Sequence, residues 1–115
     1  VNILNSTNSA TASVGEVSGS DVYFAGGGKG NATGSPGIGG GGNANASGAP
    51  NTGGGGGGDN FASHTGGSGV VILRYTSSST ITVGAGITQA SGSPFTEGTD
   101  KVSVFTGGTG NIQFN

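Results

Sequence analysis

Apolar residues fall along this chain in six short bursts separated by long polar or glycine-rich stretches. No segment repeats them at i, i+3, i+4 and i+7, so no α-helix is expected. β-Branched and aromatic residues dominate the bursts, and Gly, Ser, Asn or Asp bound them. That predicts strands near Val1–Leu4, Asp21–Ala25, Val70–Tyr75, Thr80–Val83, Lys101–Thr106 and Asn111–Phe114. Val70-Val71-Ile72-Leu73 is a continuous apolar run, which points to a strand buried on both faces at the centre of the fold. Thr80–Val83 and Asn111–Phe114 alternate, so each keeps one wet face. Gly107-Gly108-Thr109-Gly110 has hairpin length and predicts that Lys101–Thr106 and Asn111–Phe114 pair with each other. Glu16–Ser20, Ser91–Pro94 and Glu97–Asp100 read as turns or loops. The fold class is all-β, a small antiparallel sheet or sandwich.

Between the second and third bursts the pattern changes. Residues 26–69 hold 20 of the 29 glycines. The chain divides into a Ser/Thr/Asn-rich lead-in (1–25), a Gly-rich insert (26–69) and a β-patterned tail (70–115), all within one domain. An insert of 44 residues without regular structure would be anomalous in a compact domain. A flexible linker is one reading of such a composition. A collagen helix requires Gly at every third position, but the insert glycines split 9, 7 and 4 among the three frames. Short polyglycine-II-type rods fit better. Such a rod makes no internal hydrogen bonds, so its backbone groups point outward, and without side chains neighbouring rods approach closely enough to pair them. Gly27 and Gly30, Gly34, Gly37 and Gly40, Gly54 and Gly57, and Gly66 and Gly69 have the three-residue spacing. Segments 43–47 and 49–51 then serve as turns between rods.

Composition removes most chemistry. Charged residues are 7% of 115, the net charge is −2, and three scattered bases offer no footprint for nucleic acid. No apolar run approaches the roughly 20 residues needed to cross a bilayer, so no membrane insertion is expected. There is no Cys and one His. That excludes a thiolate nucleophile and a multi-His metal site, and no cofactor is implied. The chain reads as non-enzymatic. Its start at Val1, without Met or a signal pattern, suggests a processed chain or a segment of a longer one.

The remaining motifs are weak. Gly26-Gly27-Gly28-Lys29-Gly30 follows a strand, but Tyr23 and Gly30 stand where a phosphate loop needs Gly and Ser/Thr. Gly37-x-Gly39-x-x-Gly42 matches a dinucleotide fingerprint by glycine abundance, without the helix it requires. Residues 54–62 satisfy the calcium nonapeptide form once, which makes Asp59 a weak metal candidate, although such sites lie between stacked repeats. His64 has no carboxylate partner nearby in the sequence and reads as a loop His able to touch a ligand. Arg74-Tyr75 reads as an amphipathic pair capping a sheet edge.

Three pieces together resemble the Gly-rich domains of tailed-phage virion proteins, especially tail-fibre and adhesin-like ones. They are the strand Val22-Tyr23-Phe24-Ala25 running into Gly26-Gly27-Gly28, the exit Gly66-Gly67-Ser68-Gly69-Val70-Val71-Ile72-Leu73-Arg74-Tyr75, and a hairpin over Lys101–Phe114 that carries Phe105-Thr106. In those domains the Phe-Thr hairpin usually precedes the insert; here it follows. The resemblance implies a virion or extracellular location and a structural or receptor-binding role. Host contacts would be made by loops between rods, here 43–51 and 59–64, which carry Asn45, Asn51, Asp59, Phe61 and His64. Expected partners are identical chains or repeats, as a trimer or polymer, other virion proteins, and a host surface glycan or protein. Phe95, Phe105, Ile112 and Phe114 are candidate assembly contacts. Two alternatives are a subunit of a microbial extracellular filament assembled by strand exchange, and a glycan-binding module.

Overall fold

The computed structural model describes residues 2–31, 33–59, 62 and 64–115. Its elements are α1 (Ser6–Ala12), β1 (Glu16–Ser18), β2 (Asp21–Tyr23), β3 (Val71–Thr76), β4 (Ile81–Val83), β5 (Ile87–Gln89), β6 (Phe95–Glu97), β7 (Asp100–Gly108) and β8 (Ile112–Phe114). All strand pairs are antiparallel, as the all-β reading requires.

β7 organises the sheet. β3 lies along one side of it, and β6 and β5 follow each other along the other. One face of this sheet carries the core: Val102, Val104 and Phe95 pack with Leu4, Ala12, Val14 and Ala90, flanked by Phe24, Val70 and Ile72. The lead-in is therefore half of the core rather than a separate arm.

Five expectations change. The centre of the sheet is β7, where Val102–Phe105 are all buried. Among the described residues β3 has a single partner strand, and Val71 is 56% exposed. Ser103 interrupts the apolar run in β7 and hides its burial from a pattern search; its hydroxyl is satisfied 3.0 Å from Tyr75 Oη. The predicted hairpin is absent for a related reason. Both edges of β7 are occupied, so β8 pairs with β4, placing Phe114 opposite Ile81. In the predicted Val1–Leu4 strand, Val1 lies outside the described residues and 2–4 form no strand, although Leu4 is fully buried.

The fourth change is α1, which has no hydrophobic periodicity. Its signal lies at its ends. Asn5 accepts the Asn8 N–H at 2.8 Å as N-cap, and Ser13 closes the helix in the left-handed region with φ 54°. Its inward face is only Ser9 and Ala12, small enough for close approach to the sheet. Likewise Glu16–Ser18, expected to be part of a loop, pairs with β2, and β5 and β6 are further short strands that the bursts did not mark.

Candidate functional site

The insert is a bundle of extended threads joined through the backbone. Gly26 and Lys29 donate to the carbonyls of Gly39 and Gly42 at 2.9 and 2.8 Å. Gly55 and Gly58 donate to Gly26 and Lys29, both at 2.8 Å, and Gly42 donates to Gly55 at 2.9 Å. Both partners advance by three residues from bond to bond, which is the step of a polyglycine-II-type rod and makes these three threads parallel. Two more run the other way. Gly57 donates to Ala46 and Ala49 to Gly40; Gly67 donates to Gly54 and Gly53 to Ser68. Thread 53–58 thus bonds to all four others, and none of Gly54–Gly58 has positive φ. A Cβ at Gly28, Gly54, Gly57 or Gly67 would lie within 2.0 Å of a neighbouring carbonyl oxygen. The absence of side chains is what allows these contacts.

The anticipated spacing holds in part. Gly54 and Gly57 lie in the central thread, and Gly27 accepts from Gly37 at 2.8 Å. The line Gly34-Gly37-Gly40 is not one rod. Gly34 and Gly40 have φ of 127° and 85°, and residues 38–40 form a turn. A left-handed three-residue helix cannot pass through such angles. Gly30 and Gly69 face open space, while Gly66 sits 3.2 Å from the Gly54 oxygen as measured from its ideal Cβ.

Side chains reappear at the two ends of the bundle. At the end next to the β-sheet they act as anchors. The Glu16 carboxylate accepts the N–H groups of Gly39 and Gly40 at 2.8 and 2.9 Å, and these bonds, Gly40's first, hold its carboxyl below the usual carboxylate range. Buried Thr52 donates to Ala49 O and accepts from Gly54 N–H. Asn51, expected among the ligand-contacting loops, belongs here. With φ 56° it accepts from Gly15 N–H, donates to Ser13 O and bonds Ser68 twice. Glu16, Thr52 and Ser68 had no signal in the pattern, because each is isolated among small polar residues.

The far end gathers the turns. Ala44-Asn45 form one, with Asn45 at φ 65°. His64 Nε2 lies 3.1 Å from Asp59 Oδ2, with the side chains 18% and 12% exposed, and Asp59 Oδ1 accepts the Ala62 N–H. His64 therefore does have a carboxylate partner, five residues back, brought to it by the loop that follows thread 53–58. Ser47 Oγ accepts from both Thr65 N–H and Thr65 Oγ1. Phe61 lies outside the described residues. Among the described residues no three His, Cys, Asp or Glu side chains come together, so the nonapeptide form at 54–62 supplies no carboxylate cluster around Asp59.

Of the anticipated assembly residues, Phe95 and Phe105 are interior, 9% and 5% exposed, and serve packing within this chain. Ile112 is half-buried, and Phe114 is 55% exposed with its ring edge-on to Tyr75.

The Arg-Tyr exit has a definite task. Arg74 binds Asp100 and Glu97, each at 2.8 Å, and the carbonyl of Asn2 at 3.2 Å. Glu97 in turn accepts from Asn5 N–H and Asn8 Nδ2. The cluster ties the lead-in to the sheet, and the Asp100 hydrogen bond is the largest cause raising the Arg74 pKa.

A family model described as a glycine-rich domain matches residues 3–76. The chain belongs to this family. No curated protein and no solved structure matches it. The glycine-rich domain so defined runs from the buried lead-in through all five threads to the last residue of β3, and it leaves out β7, on which β3 pairs. The matched segment thus contains the bundle and its anchors, while the strand that organises the sheet comes from the following 39 residues.

Proposed function

We propose that this chain is a non-enzymatic structural and adhesive module of a phage virion appendage, such as a tail fibre, head fibre or decoration protein, and that it touches a host surface receptor with the far end of its glycine bundle. The observation that carries this reading is the segregation of side chains. Thread 53–58 carries no side chains and bonds through its backbone to all four neighbouring threads, while Asn45, Asp59 and His64 lie in the turn and loop beyond its far end. Such a bundle holds Asn45, Asp59 and His64 on a stiff support at a distance from the core. The principal extents of 51, 31 and 17 Å suit an elongated spacer.

The test is whole-cell binding of the labelled full chain across a panel of Gram-negative and Gram-positive bacteria. Expected is saturable binding to some of them, weakened at least tenfold in an Asn45→Ala/His64→Ala variant with an unchanged urea midpoint. No saturable binding across the panel, or binding indifferent to both changes, refutes the proposal.

A second reading rests on a different observation. Among the described residues β4 and β8 pair only with each other, leaving their outer edges without strand partners there, and Phe114 of β8 is exposed. Strand addition there by a sister chain would make a filament subunit. A polymer in sedimentation whose growth is blocked by Phe114→Lys favours that reading; a stable monomer at micromolar concentration removes it.

A further inference from the structure

β4 and β7 contribute to the walls of an opening of about 350 Å³ lined by Tyr75, Gln89, Lys101 and Ser103. Register places the side chains on one face of the sheet: Tyr75 stands opposite Lys101, and Ser103 lies two residues further along β7. The volume is at the lower end of small-ligand pockets.

The hydrogen-bonding capacity of this lining is not used up within the chain. Tyr75 Oη and Ser103 Oγ lie 3.0 Å apart. Together they carry two O–H groups and share one bond, so one donor is left over. Among the described residues neither oxygen makes a second bond, and the Gln89 amide and the Lys101 ammonium make none. The carboxylates closest to Lys101 in sequence, Asp100 and Glu97, are both engaged by Arg74. A cation and two kinds of neutral donor therefore line one cavity with hydrogen-bonding capacity left over. Ile81, Val83 and Pro94 add apolar surface to the wall, and Thr80 a further polar residue.

The geometry points to a binding site for a sugar acid. Its carboxylate, which only accepts hydrogen bonds, would take Lys101. Its hydroxyls would meet Tyr75 Oη, which buried Ser103 braces from beneath, and Gln89, and the C–H face of its ring would rest on Ile81, Val83 and Pro94. The mixture of amide, hydroxyl and ammonium groups suits a polyhydroxylated acid better than a plain aliphatic or aromatic one. The site lies on the β-sheet, remote in sequence from the turns at the bundle's far end, and stands or falls separately from them.

Titration of the ¹⁵N-labelled full chain with D-glucuronate, D-glucose, acetate and benzoate at constant ionic strength tests this. Expected are saturable amide shifts at Gln89, Lys101 and Ser103 with glucuronate, and binding at least tenfold weaker for the other three. Lys101→Gln should weaken glucuronate at least tenfold, and Tyr75→Phe several-fold, with the remaining spectrum unchanged. No saturable shift, equal response to benzoate or glucose, or indifference to Lys101→Gln overturns the assignment. Should Lys101→Gln disturb the fold, Tyr75→Phe and the four-ligand comparison on the unaltered chain decide it.

Discussion

Replacing Gly57 by Ala places a Cβ 1.8 Å from the carbonyl oxygen of Asn43. Real Cβ atoms do not come closer than about 3.0 Å, so the two threads must part by about 1.2 Å. Neither partner is a flexible side chain that can swing away; both are backbone, held on several sides. The bonds in the path of that movement are Gly57 N–H to Ala46, Gly58 N–H to Lys29 and Gly42 N–H to Gly55. A protein hydrogen bond contributes about 0.5–1.5 kcal/mol net, and a buried group left without a partner costs about 1–3 kcal/mol. Losing two or three of them amounts to about 3–5 kcal/mol, a large part of the 5–15 kcal/mol typical of a whole domain. Gly27 supplies the control. Nothing lies within 4 Å of its ideal Cβ and its φ is not positive, so Gly27→Ala removes only unfolded-state freedom and should stabilise by about 0.4–1 kcal/mol. Urea unfolding of both variants and the parent, with matched m-values, measures the contrast. A Gly57→Ala protein within about 0.5 kcal/mol of the parent would mean that the threads are not held by one another, and the account of the insert would fail.

Two further outcomes follow from side chains that the bundle and the sheet depend on. Glu16 has a carboxyl pKa depressed in the folded state by the Gly40 and Gly39 amides, so its contribution is fully present above the unfolded value near 4.5 and is lost as pH falls through the lower folded value. The urea midpoint should therefore drop on the acid side of 4.5, and Glu16→Gln should flatten that limb; an unchanged acid limb refutes the anchor. Leu4→Ala empties a fully buried site outside any strand and should cost about 2–5 kcal/mol by thermal or urea unfolding, whereas a loss under about 1 kcal/mol would show the lead-in to be peripheral.

What could be read from the residues divides along physical lines. β2, β3, β4, β7 and β8 were legible because β-branched runs between turn residues announce a strand whatever its neighbours. Which strand pairs with which was not, since pairing depends on edges already filled: β8 leaves β7 because β3 and β5 hold both its sides. Central position was misjudged through Ser103, a polar residue whose burial is compensated by Tyr75. α1 was illegible to a periodicity search because its buried face is Ser9 and Ala12, and its information sits in the Asn5 and Ser13 caps. The threads were legible as a kind of structure, since glycine abundance with local three-residue spacing has few other packed solutions. Their exact course was not, because a run of glycines can start a thread at 34 or turn at 40 with equal ease, and only the completed bonding pattern decides. Asn51 and Asn45 looked alike as Asn in a turn; one faces the Ser13 carbonyl at the base and the other the far end.

In the proposed role, this asymmetry between base and far end bears on how such a module would change its target. Among the described residues the bundle has no hydrophobic interior, so the positions that must stay are the glycines whose Cβ would strike a carbonyl, such as Gly28, Gly54 and Gly67, and the anchors Glu16, Thr52 and Asn51. Residues in the far turns carry no comparable burden. Asn45 is exposed, and the Asp59–His64 contact closes a loop that begins after the last bonded glycine of thread 53–58. Substitution there alters what the bundle presents without parting any thread. A scaffold cross-linked through its backbone thus separates the residues that hold shape from those that would meet a partner in the proposed role more completely than a side-chain core does. In such a core a surface loop and the packing beneath it share residues. Here, among the described residues, they share chiefly backbone carbonyl oxygens, with the Ser47–Thr65 pair as a side-chain link.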